Sequence, residues 1–387
     1  MTDRSPMHQQ IDTLPDLLRE VGQPFDASAR SAFNFELCTG VKRIYLVGCG
    51  DSYHAPTGAE MAFHQLAGVP TQALNAMTFS RYTAPYLPDT GPNTNLVIAI
   101  SVSGKVSRTV ETLRMARKAG AYTIALTGNP TGPLATSADR VFETAVPPLP
   151  DELQGMVVPG VRSYLASQVA LYSAAIRIGE VRGHITTVEA DAYRDEILAL
   201  AESIEKTTVA CEPIARDLIG QWDNEREFVF VGTGPGYGVA MFSAAKVLEA
   251  SGDPATAQEV EEWSHLQYFA ADVTTPTILI SMAGNDAGRA VEVAAAMQAI
   301  GRSTVGVLPE GDTQIRPHVN AVMPIIGSVR ECFSPIVTSI PGELLAAERA
   351  QAKNTPYFRD FAGGRGDQNG PRPSKIYESA IIEELPQ

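Results

Sequence analysis

Two short turns rich in glycine and serine are the first places in this sequence where the residue types could do chemistry. The first turn, GCGDSY (48–53), follows the apolar run RIYLV, and the second, SVSGKVS (101–107), follows LVIAI. Each turn comes directly before a helical pattern, so its backbone N–H groups and the positive end of the helix dipole favour an anion. Serine hydroxyls add donors without bulk, and Lys105 adds a positive charge. Serine and glycine are also ordinary turn and cap residues, but two such turns together predict an anion site.

A carboxylate that could move a proton lies in the helix predicted after a further glycine-rich turn, GTGPGYG (232–238). Glu249 stands beside Val247 and Leu248, which predicts partial desolvation and a raised pKa. A carboxylate of this kind can carry a proton between adjacent carbons near neutral pH. The plainer interpretation is a surface ion pair with Lys246, three residues earlier on the same helix. None of these turns reads G-x-G-x-x-G, so a nicotinamide site is not indicated.

These candidates belong to a unit that occurs twice in the chain. The segment 226–240, REFVFVGTGPGYGVA, repeats the layout of 43–55, RIYLVGCGDSYHA. The segment 275–301 likewise repeats the strand, turn and helix pattern of 96–120, with fewer hydroxyls in its turn. Near-continuous apolar runs that alternate with helical patterns are typical of parallel strands covered on both faces. The predicted fold class is therefore α/β, with two units, each a mostly parallel sheet flanked by helices on both faces.

The same patterns give an expected division of the 387 residues. We expect an N-terminal helix in 1–30, the first α/β unit with the anion-binding turns in 31–180, connecting helices in 181–225, the second unit in 226–340, and a C-terminal helix and tail in 341–387. Individual helices are predicted over 8–22, 59–68, 108–119, 162–178, 187–206, 238–251 and 287–299.

Composition and charge exclude several classes of function. The chain has 44 acidic and 30 basic residues, a formal net charge of −14, so nucleic acid and anionic membrane surfaces are not expected partners. The four cysteines and six histidines show no metal-ligand spacing, and neither a metal nor another cofactor is indicated. There is no apolar run long enough for a membrane span and no signal-peptide pattern, so we expect a cytoplasmic protein.

The paired turns and their repetition resemble the SIS (sugar isomerase) domain family. The likeness is greatest to proteins with tandem SIS domains, namely the isomerase half of glucosamine-6-phosphate synthase and its stand-alone phosphosugar isomerase, deaminase and deglycase relatives. It extends from about residue 30 to the region of Lys375. The resemblance implies that Ser52, Ser101 and Ser103 hold the phosphate of a sugar phosphate, and Ser107 lies in the same second turn as two of them.

The second turn departs from the SQSGET pattern that is usual in this family. Val102 replaces the glutamine, Lys105 the glutamate and Val106 the threonine. Two donors are lost and one cation is gained. The anion is therefore left open between a phosphate, a sulfonate and a carboxylate.

The resemblance also implies the catalytic groups. Glu249 matches the base that moves a proton between C1 and C2 through an enediol or enolamine intermediate. His265 matches a ring-opening histidine that reaches the active site of the neighbouring subunit, which implies a homodimer with shared sites. Lys375, in GPRPSK, matches a lysine of the C-terminal tail that enters the site, while Arg81 and Ser163 match residues that line the sugar pocket.

The expected function is metal-free aldose–ketose isomerisation of an anionic sugar such as a hexose 6-phosphate, or the linked deamination or deglycation. One alternative in the same fold is an isomerase of a 6-sulfonated sugar of the sulfoquinovose type, which the gain of Lys105 favours. An alternative of another class is a non-catalytic sugar-phosphate sensor. The sequence carries both Glu249 and His265, which argues for catalysis.

Overall fold

The computed structural model describes residues 4–88, 91–149, 151–363, 365–366 and 376–386. Within these ranges the chain forms ten β-strands and thirteen α-helices, joined by turns and by short 3-10 and π-helical segments. The strands are β1 Arg43–Gly48, β2 Thr71–Asn75, β3 Asn95–Ile100, β4 Tyr122–Thr127, β5 Arg140–Glu143, β6 Phe228–Gly232, β7 Ala255–Glu259, β8 Thr277–Ile280, β9 Thr304–Pro309 and β10 Ala321–Ile325. The helices are α1 Pro6–Asp12, α2 Leu14–Ala32, α3 Phe35–Gly40, α4 Asp51–Ala62, α5 Ala76–Thr78, α6 Ser107–Lys118, α7 Pro133–Thr136, α8 Arg162–Arg182, α9 Thr187–Gln221, α10 Pro235–Ala250, α11 Val260–His265, α12 Ala287–Ala299 and α13 Pro335–Lys353.

The strands form two five-stranded sheets with the same topology. The first has the order β2-β1-β3-β4-β5 and the second the order β10-β9-β8-β6-β7, and every pairing is parallel. Counted from the first strand of each sheet, both orders read 2-1-3-4-5, which is a doubly wound arrangement. The α/β class and the duplication predicted from the sequence are confirmed.

The first sheet belongs to a compact unit that comprises Leu17–Pro147, Ser163–Leu198 and Phe361–Gln387, called here the first-sheet unit. All six residues of β3 are buried, as the apolar run in the sequence predicts. Helix α6 packs Val110 and Leu113 into the core on one face of the sheet, and Ile381 and Ile382 pack against the same core. The last described residues of the chain are therefore part of this unit.

The second sheet belongs to a unit that comprises Met1–Asp16, Pro148–Arg162 and Ala199–Asp360, the second-sheet unit. All residues of β6 and β8 are buried. Trp263 of α11 and Met297 of α12 are fully buried in the core that covers this sheet. The unit also buries Arg349, whose Nε donates to Asp253 Oδ2 at 2.6 Å. A buried cation is tolerated because such partners replace its water.

Two of the differences between the observed and the predicted helix bounds involve a proline. The predicted helix 8–22 is two helices that break at Thr13, because Pro15 has no N–H to donate to the carbonyl of Ile11. Helix α4 begins at Asp51, eight residues before its predicted start, and continues through Pro56. The early start places Ser52 in the first turn of α4.

Helices α8 and α9 run for 21 and 35 residues, and both extend past their predicted ends. Both carry charged residues along their length. In the described part of the chain, no helix combines the length and the apolar character that a membrane crossing requires.

Candidate active site

The candidate anion site lies where the strand order of the first sheet reverses. Strand β1 is the neighbour of both β2 and β3, with Val47 aligned with Ala99, so the turns after β1 and β3 lie side by side at the carboxyl edge. Ligands of doubly wound sheets bind at this topological switch point. Thr109, in the first turn of α6, places its Oγ1 3.8 Å from Cys49 Sγ and so joins the two turns.

The turn after β1 is fixed by a close approach of backbone to backbone. Gly50 caps α4 with a φ of +56°, which favours glycine. A Cβ on Gly48 would lie 2.0 Å from the carbonyl oxygen of Ser52, so only glycine fits there. That carbonyl has no helical partner because Pro56, four residues later, has no N–H. Together these features hold Ser52 against the end of β1.

The turn after β3 is held by residues that follow β4. Gly104 has a φ of +65°, and a Cβ on it would lie 2.9 Å from Thr127 Oγ1. Asn129 Nδ2 donates to the Ser103 carbonyl at 3.1 Å. The Ser103 hydroxyl accepts from the backbone N–H of Lys105 at 3.3 Å. Thr127 and Asn129 are not among the candidate residues that the sequence predicts, although both stand in TGN (127–129), where β4 ends.

Helix α6 begins at this turn, and no side chain among the described residues caps it. Its N-cap residue, Val106, provides no side-chain hydrogen bond, so the N–H groups of the first turn are left without a cap. The hydroxyl of Ser107 is buried and has no hydrogen-bond partner among the described residues. Ser101 is buried, whereas Lys105 is exposed. Uncapped N–H groups, an unpartnered hydroxyl and an exposed lysine together suit an oxyanion.

Arg81, predicted to line the sugar pocket, is paired with a buried glutamate. Its Nε and Nη2 donate to the two carboxylate oxygens of Glu111 at 3.0 and 3.2 Å. Glu111 is fully buried on α6 and also accepts from the Ser80 hydroxyl, at 2.9 Å, and from Arg108. Burial raises the pKa of Glu111, but the hydrogen bonds from Arg81 and its other donors outweigh this and hold the pKa below its usual value. The Arg81 side chain keeps 29% of its surface exposed.

The C-terminal segment docks on the same glutamate. The backbone N–H of Ile382 donates to Glu111 at 3.0 Å, and Arg108 donates to the carbonyl of Ala380. Lys118 and Glu384 add an exposed ion pair at 2.8 Å. Residues 376–386 are thereby fixed to α6. Lys375, the predicted tail lysine, lies outside the described residues.

Ser163, the other residue predicted to line the sugar pocket, lies in the first turn of α8. It is half-buried, and its carbonyl accepts a hydrogen bond from the Ser167 hydroxyl at 2.8 Å. It belongs to the first-sheet unit, as do Arg81 and the four serines of the two turns.

Glu249 lies near the end of α10 in the second-sheet unit. Its side chain is 29% exposed and accepts a hydrogen bond from Lys246, whose own side chain is fully buried. The Lys246 ammonium also lies 5.1 Å from the centre of the Phe242 ring. The ion pair that the spacing predicts is therefore present, but its lysine is in the core rather than on the surface. A buried ammonium needs a compensating anion, and Glu249 supplies one.

His265 ends α11 in the same unit, and its imidazole is 66% exposed. Its Nε2 lies 3.1 Å from Glu261 Oε1, and Arg289 Nε donates to the other oxygen of Glu261 at 2.6 Å. The hydrogen bond from Arg289 lowers the pKa of Glu261, and the His265 contact adds to this. Exposed apolar side chains follow directly, with Leu266 58% and Phe269 76% exposed.

The equivalent switch point of the second sheet, between β6 and β8, is filled by the chain's own carboxylate. The backbone N–H of Asn285 lies 3.2 Å from both oxygens of Glu331. Gly284 leaves room for the Glu331 carboxylate, since a Cβ at position 284 would lie 2.3 Å from Glu331 Oε2. Burial raises the pKa of Glu331, and the nearby charge of Asp286 adds to it; burial also raises the pKa of Asp286. An external anion is disfavoured at this point by charge.

One group of His and Glu side chains among the described residues has the spacing of metal ligands. His8, Glu212 and Glu348 place ligand atoms within 4.8 Å of one another in the second-sheet unit. Arg4 donates to Glu212 at 2.9 Å, and Arg216 donates to Glu348 at 3.3 Å. Because two guanidinium groups already compensate the two carboxylates, we assign this group to an ion-pair network.

The chain is similar in sequence and in fold to known proteins. Residues 39–177 match the SIS domain family. A curated relative is the isomerizing glutamine–fructose-6-phosphate aminotransferase of Gloeobacter violaceus, 27% identical over 345 residues, which cover 88% of this chain and 54% of that protein. The chain therefore spans about half the length of the curated relatives it matches.

Two solved structures show the same fold. One is the C-terminal domain of glucosamine-fructose-6-phosphate aminotransferase from Francisella tularensis, with a TM-score of 0.78, 19% identity, and coverage of 92% of this chain and 98% of that one. The other is tagatose-6-phosphate ketose/aldose isomerase from Escherichia coli, with a TM-score of 0.73, 15% identity, and coverage of 95% and 97%.

Proposed function

We propose that this chain, whose residues 39–177 match the SIS domain family, interconverts the aldose and ketose forms of an anionic sugar such as a hexose 6-phosphate. The observation that carries the proposal is the first switch point, where two hydroxyl-bearing turns meet an uncapped helix. The names of the relatives, an isomerizing aminotransferase and a ketose/aldose isomerase of sugar 6-phosphates, support the same substrate class. We further propose that the enzyme is cytoplasmic.

In this proposal the two halves of the chain have different tasks. Ser52, Ser101 and Ser103 hold the anionic group, with Lys105 and Ser107 beside them. His265 moves the proton that opens the sugar ring. The Glu249 carboxylate then removes the proton from C2 of the open aldose, the electron pair forms the C1–C2 double bond, and the carbonyl oxygen at C1 takes up a proton to give the enediol. Glu249 returns its proton to C1 while the C2 hydroxyl loses its proton, which leaves the ketose.

An amino group at C2 would make the intermediate an enolamine, which links the same machinery to deamination or deglycation. Buried Lys246 supports the base role, because it holds the Glu249 carboxylate in one orientation. Arg81, Ser163 and Lys375 remain proposed substrate contacts. Incubation of the protein with hexose 6-phosphates and amino-sugar phosphates in D2O tests the function, since isomerisation places deuterium at C1 or C2. A protein that binds one of these sugars but exchanges no proton would instead be a sensor.

One observation favours a second candidate, an isomerase of a 6-sulfonated sugar. Val102 is 40% exposed in the middle of the second turn and offers no donor, while Lys105 adds a charge that requires no defined hydrogen-bond angle. A sulfonate needs fewer directed donors than a phosphate dianion. The same D2O assay with sulfoquinovose decides between the two anions.

The anion site predicts the effect of one hydroxyl. Replacing Ser103 by alanine should weaken binding of the anionic sugar by about 0.5–1.5 kcal/mol, and by more if the bond to the anion is charge-assisted. Calorimetric titration of both proteins with the sugar found in the assay measures this. Ser31→Ala removes an exposed hydroxyl from α2 of the same unit and should change nothing. Equal affinities of the Ser103→Ala and Ser31→Ala proteins would refute the assignment.

The exposed side chains beside His265 predict a homodimer. If His265 completes the site of a neighbouring subunit, then Leu266 and Phe269 lie against that subunit, since apolar side chains this exposed are unfavourable in water. Phe269→Glu should raise the dimer dissociation constant about 30-fold or more, the usual effect at a central aromatic contact. Sedimentation velocity over a range of concentrations measures it, with Val188→Glu, at a 79% exposed site in the first-sheet unit, as control. A wild-type protein that is active as a monomer would contradict the shared site.

A further inference from the structure

His265 stands at the start of a long irregular segment. Helix α11 ends at this residue, and β8 begins at Thr277. Between them the described chain forms only the short 3-10 turn Gln267–Phe269. The segment is largely exposed, and the His265 side chain is held by a contact to another exposed side chain, that of Glu261. A catalytic side chain on such a segment needs support from elsewhere.

The support comes from one buried arginine, Arg302, two residues before β9 begins. Arg302 is 2% exposed, and its Nη2 donates to the Gln267 carbonyl at 2.8 Å while its Nη1 donates to the Asp272 carbonyl at 2.7 Å. One guanidinium thus joins both ends of the stretch 267–272. The next residue continues the attachment, since the backbone N–H of Ser303 donates to the Val273 carbonyl at 2.9 Å.

The same guanidinium also supports α11. Its central carbon lies 5.9 Å from the ring centre of Trp263, a fully buried residue two positions before His265. Trp263 in turn contacts Tyr268 edge to face, with ring centres 6.2 Å apart. Arg302 is therefore in contact with the chain on both sides of His265.

We propose that Arg302 is a positioning residue for His265: it fixes the segment 263–272 so that the imidazole is presented for ring opening. The role in ring opening rests on the proposed function, but the clamp itself does not. Arginine is needed because its planar fork reaches two carbonyls at once, whereas a lysine ammonium in that place reaches one of them. Arg302→Lys should therefore keep part of this positioning of His265, and Arg302→Met, which keeps only the apolar stem, should keep none.

The enzymatic test compares a sugar that closes into a ring with one that cannot. Fructose 6-phosphate forms a ring through O5, and 5-deoxyfructose 6-phosphate lacks that oxygen and stays open. We expect Arg302→Met to lower kcat/KM for fructose 6-phosphate by ~10- to 100-fold, the usual cost of a small misplacement of a catalytic group. For the open sugar the loss should be under about 3-fold, and Arg302→Lys should lie between wild type and Arg302→Met for the ring-forming sugar.

The controls separate positioning from general damage. Arg316→Met removes another arginine that donates to backbone carbonyls in the same unit, those of Glu310 and Asp312, and should leave the ratio of the two sugars unchanged. Arg302→Met should add nothing to the loss caused by His265→Ala, because both act through the same imidazole. Equal losses on both sugars, or additive losses in the double variant, would overturn the proposal.

A second readout needs no substrate. In Arg302→Met, amide hydrogen exchange over 266–274 should become faster while exchange in α10 stays as in wild type. Unchanged exchange over 266–274 would show that Arg302 is no clamp, whatever the enzyme does. If exchange rises but wild type turns over neither sugar, the clamp stands and the proposed function fails for these sugars. The two failures are therefore distinguishable.

Discussion

Replacing Glu249 by glutamine should remove the exchange of the C2 proton with solvent and lower turnover by about 10²–10⁴-fold, the contribution of a well-placed general base. Glutamine keeps the size and shape of the side chain and still accepts a hydrogen bond from Lys246, but it cannot take a proton. Binding of the sugar should persist, because the proposed anion contacts belong to other residues. Loss of deuterium incorporation together with an unchanged binding isotherm is the expected result.

Two further variants make this test decisive. Glu249→Gln removes a negative charge from beside the buried Lys246 ammonium, so the variant should lose stability as well as chemistry. Glu249→Asp keeps the charge and shortens the reach; it should remain folded and still be slow. Glu262, exposed in the same unit, is the rival carboxylate. If Glu262→Gln lost the exchange and Glu249→Gln kept it, the base would have been assigned to the wrong residue.

Replacing Glu111 by glutamine should lower the free energy of unfolding more than any other substitution proposed for this chain. The carboxylate is fully buried and accepts from Arg81, Arg108 and the backbone of Ile382. Breaking a fully buried pair costs roughly 3–5 kcal/mol, and here we expect about 2–4 kcal/mol, because both arginines reach water. Urea unfolding followed by circular dichroism measures it, and amide exchange over 376–386 should show the released C-terminal segment. Glu143→Gln, at an exposed position on β5, is the matched control.

The same glutamate has a defined dependence on pH. Its pKa is lower in the folded chain than in the unfolded one, so the unfolded chain takes up a proton first as the pH falls. The stabilisation is therefore complete above the ordinary glutamate pKa of about 4.3 and is lost as the pH falls through the lower folded value. The difference between wild type and Glu111→Gln should shrink over that range. A difference that stayed constant down to pH 3 would mean that the carboxylate charge does not cause the stability.

The sequence predicts those features that depend on local pattern. The apolar runs of β1 and β3, and their repeats in β6 and β8, were identifiable because buried parallel strands leave no polar alternation. The start of α4 at Asp51 was not identifiable, because Pro56 has no N–H to donate and a proline inside a pattern usually marks the end of a helix. It is tolerated there because the carbonyl it leaves unpaired, that of Ser52, packs against Gly48.

Long-range partners are what the sequence cannot predict. Glu111 lies in TVETLR, where a glutamate reads as a solvent-facing residue of an amphipathic helix. Its partners Arg81 and Ile382 stand 30 and 271 positions away, so no local pattern connects them. The same holds for Arg302, whose carbonyl partners lie 30 and 35 positions earlier. The roles of Glu249 and His265 remain predictions.

The carboxylate of Glu331 at the second switch point bears on how a duplicated fold handles one substrate. Two copies of one binding architecture would give an anionic sugar two equivalent places to bind, of which only one could be productive. The Glu331 side chain occupies this second place. Its carboxylate accepts a hydrogen bond from the backbone N–H of Asn285, and Gly284, which has no side chain, leaves room for it. If the anionic sugar binds at the first switch point as proposed, the second copy should not compete for it, because the Glu331 carboxylate already lies at the equivalent place.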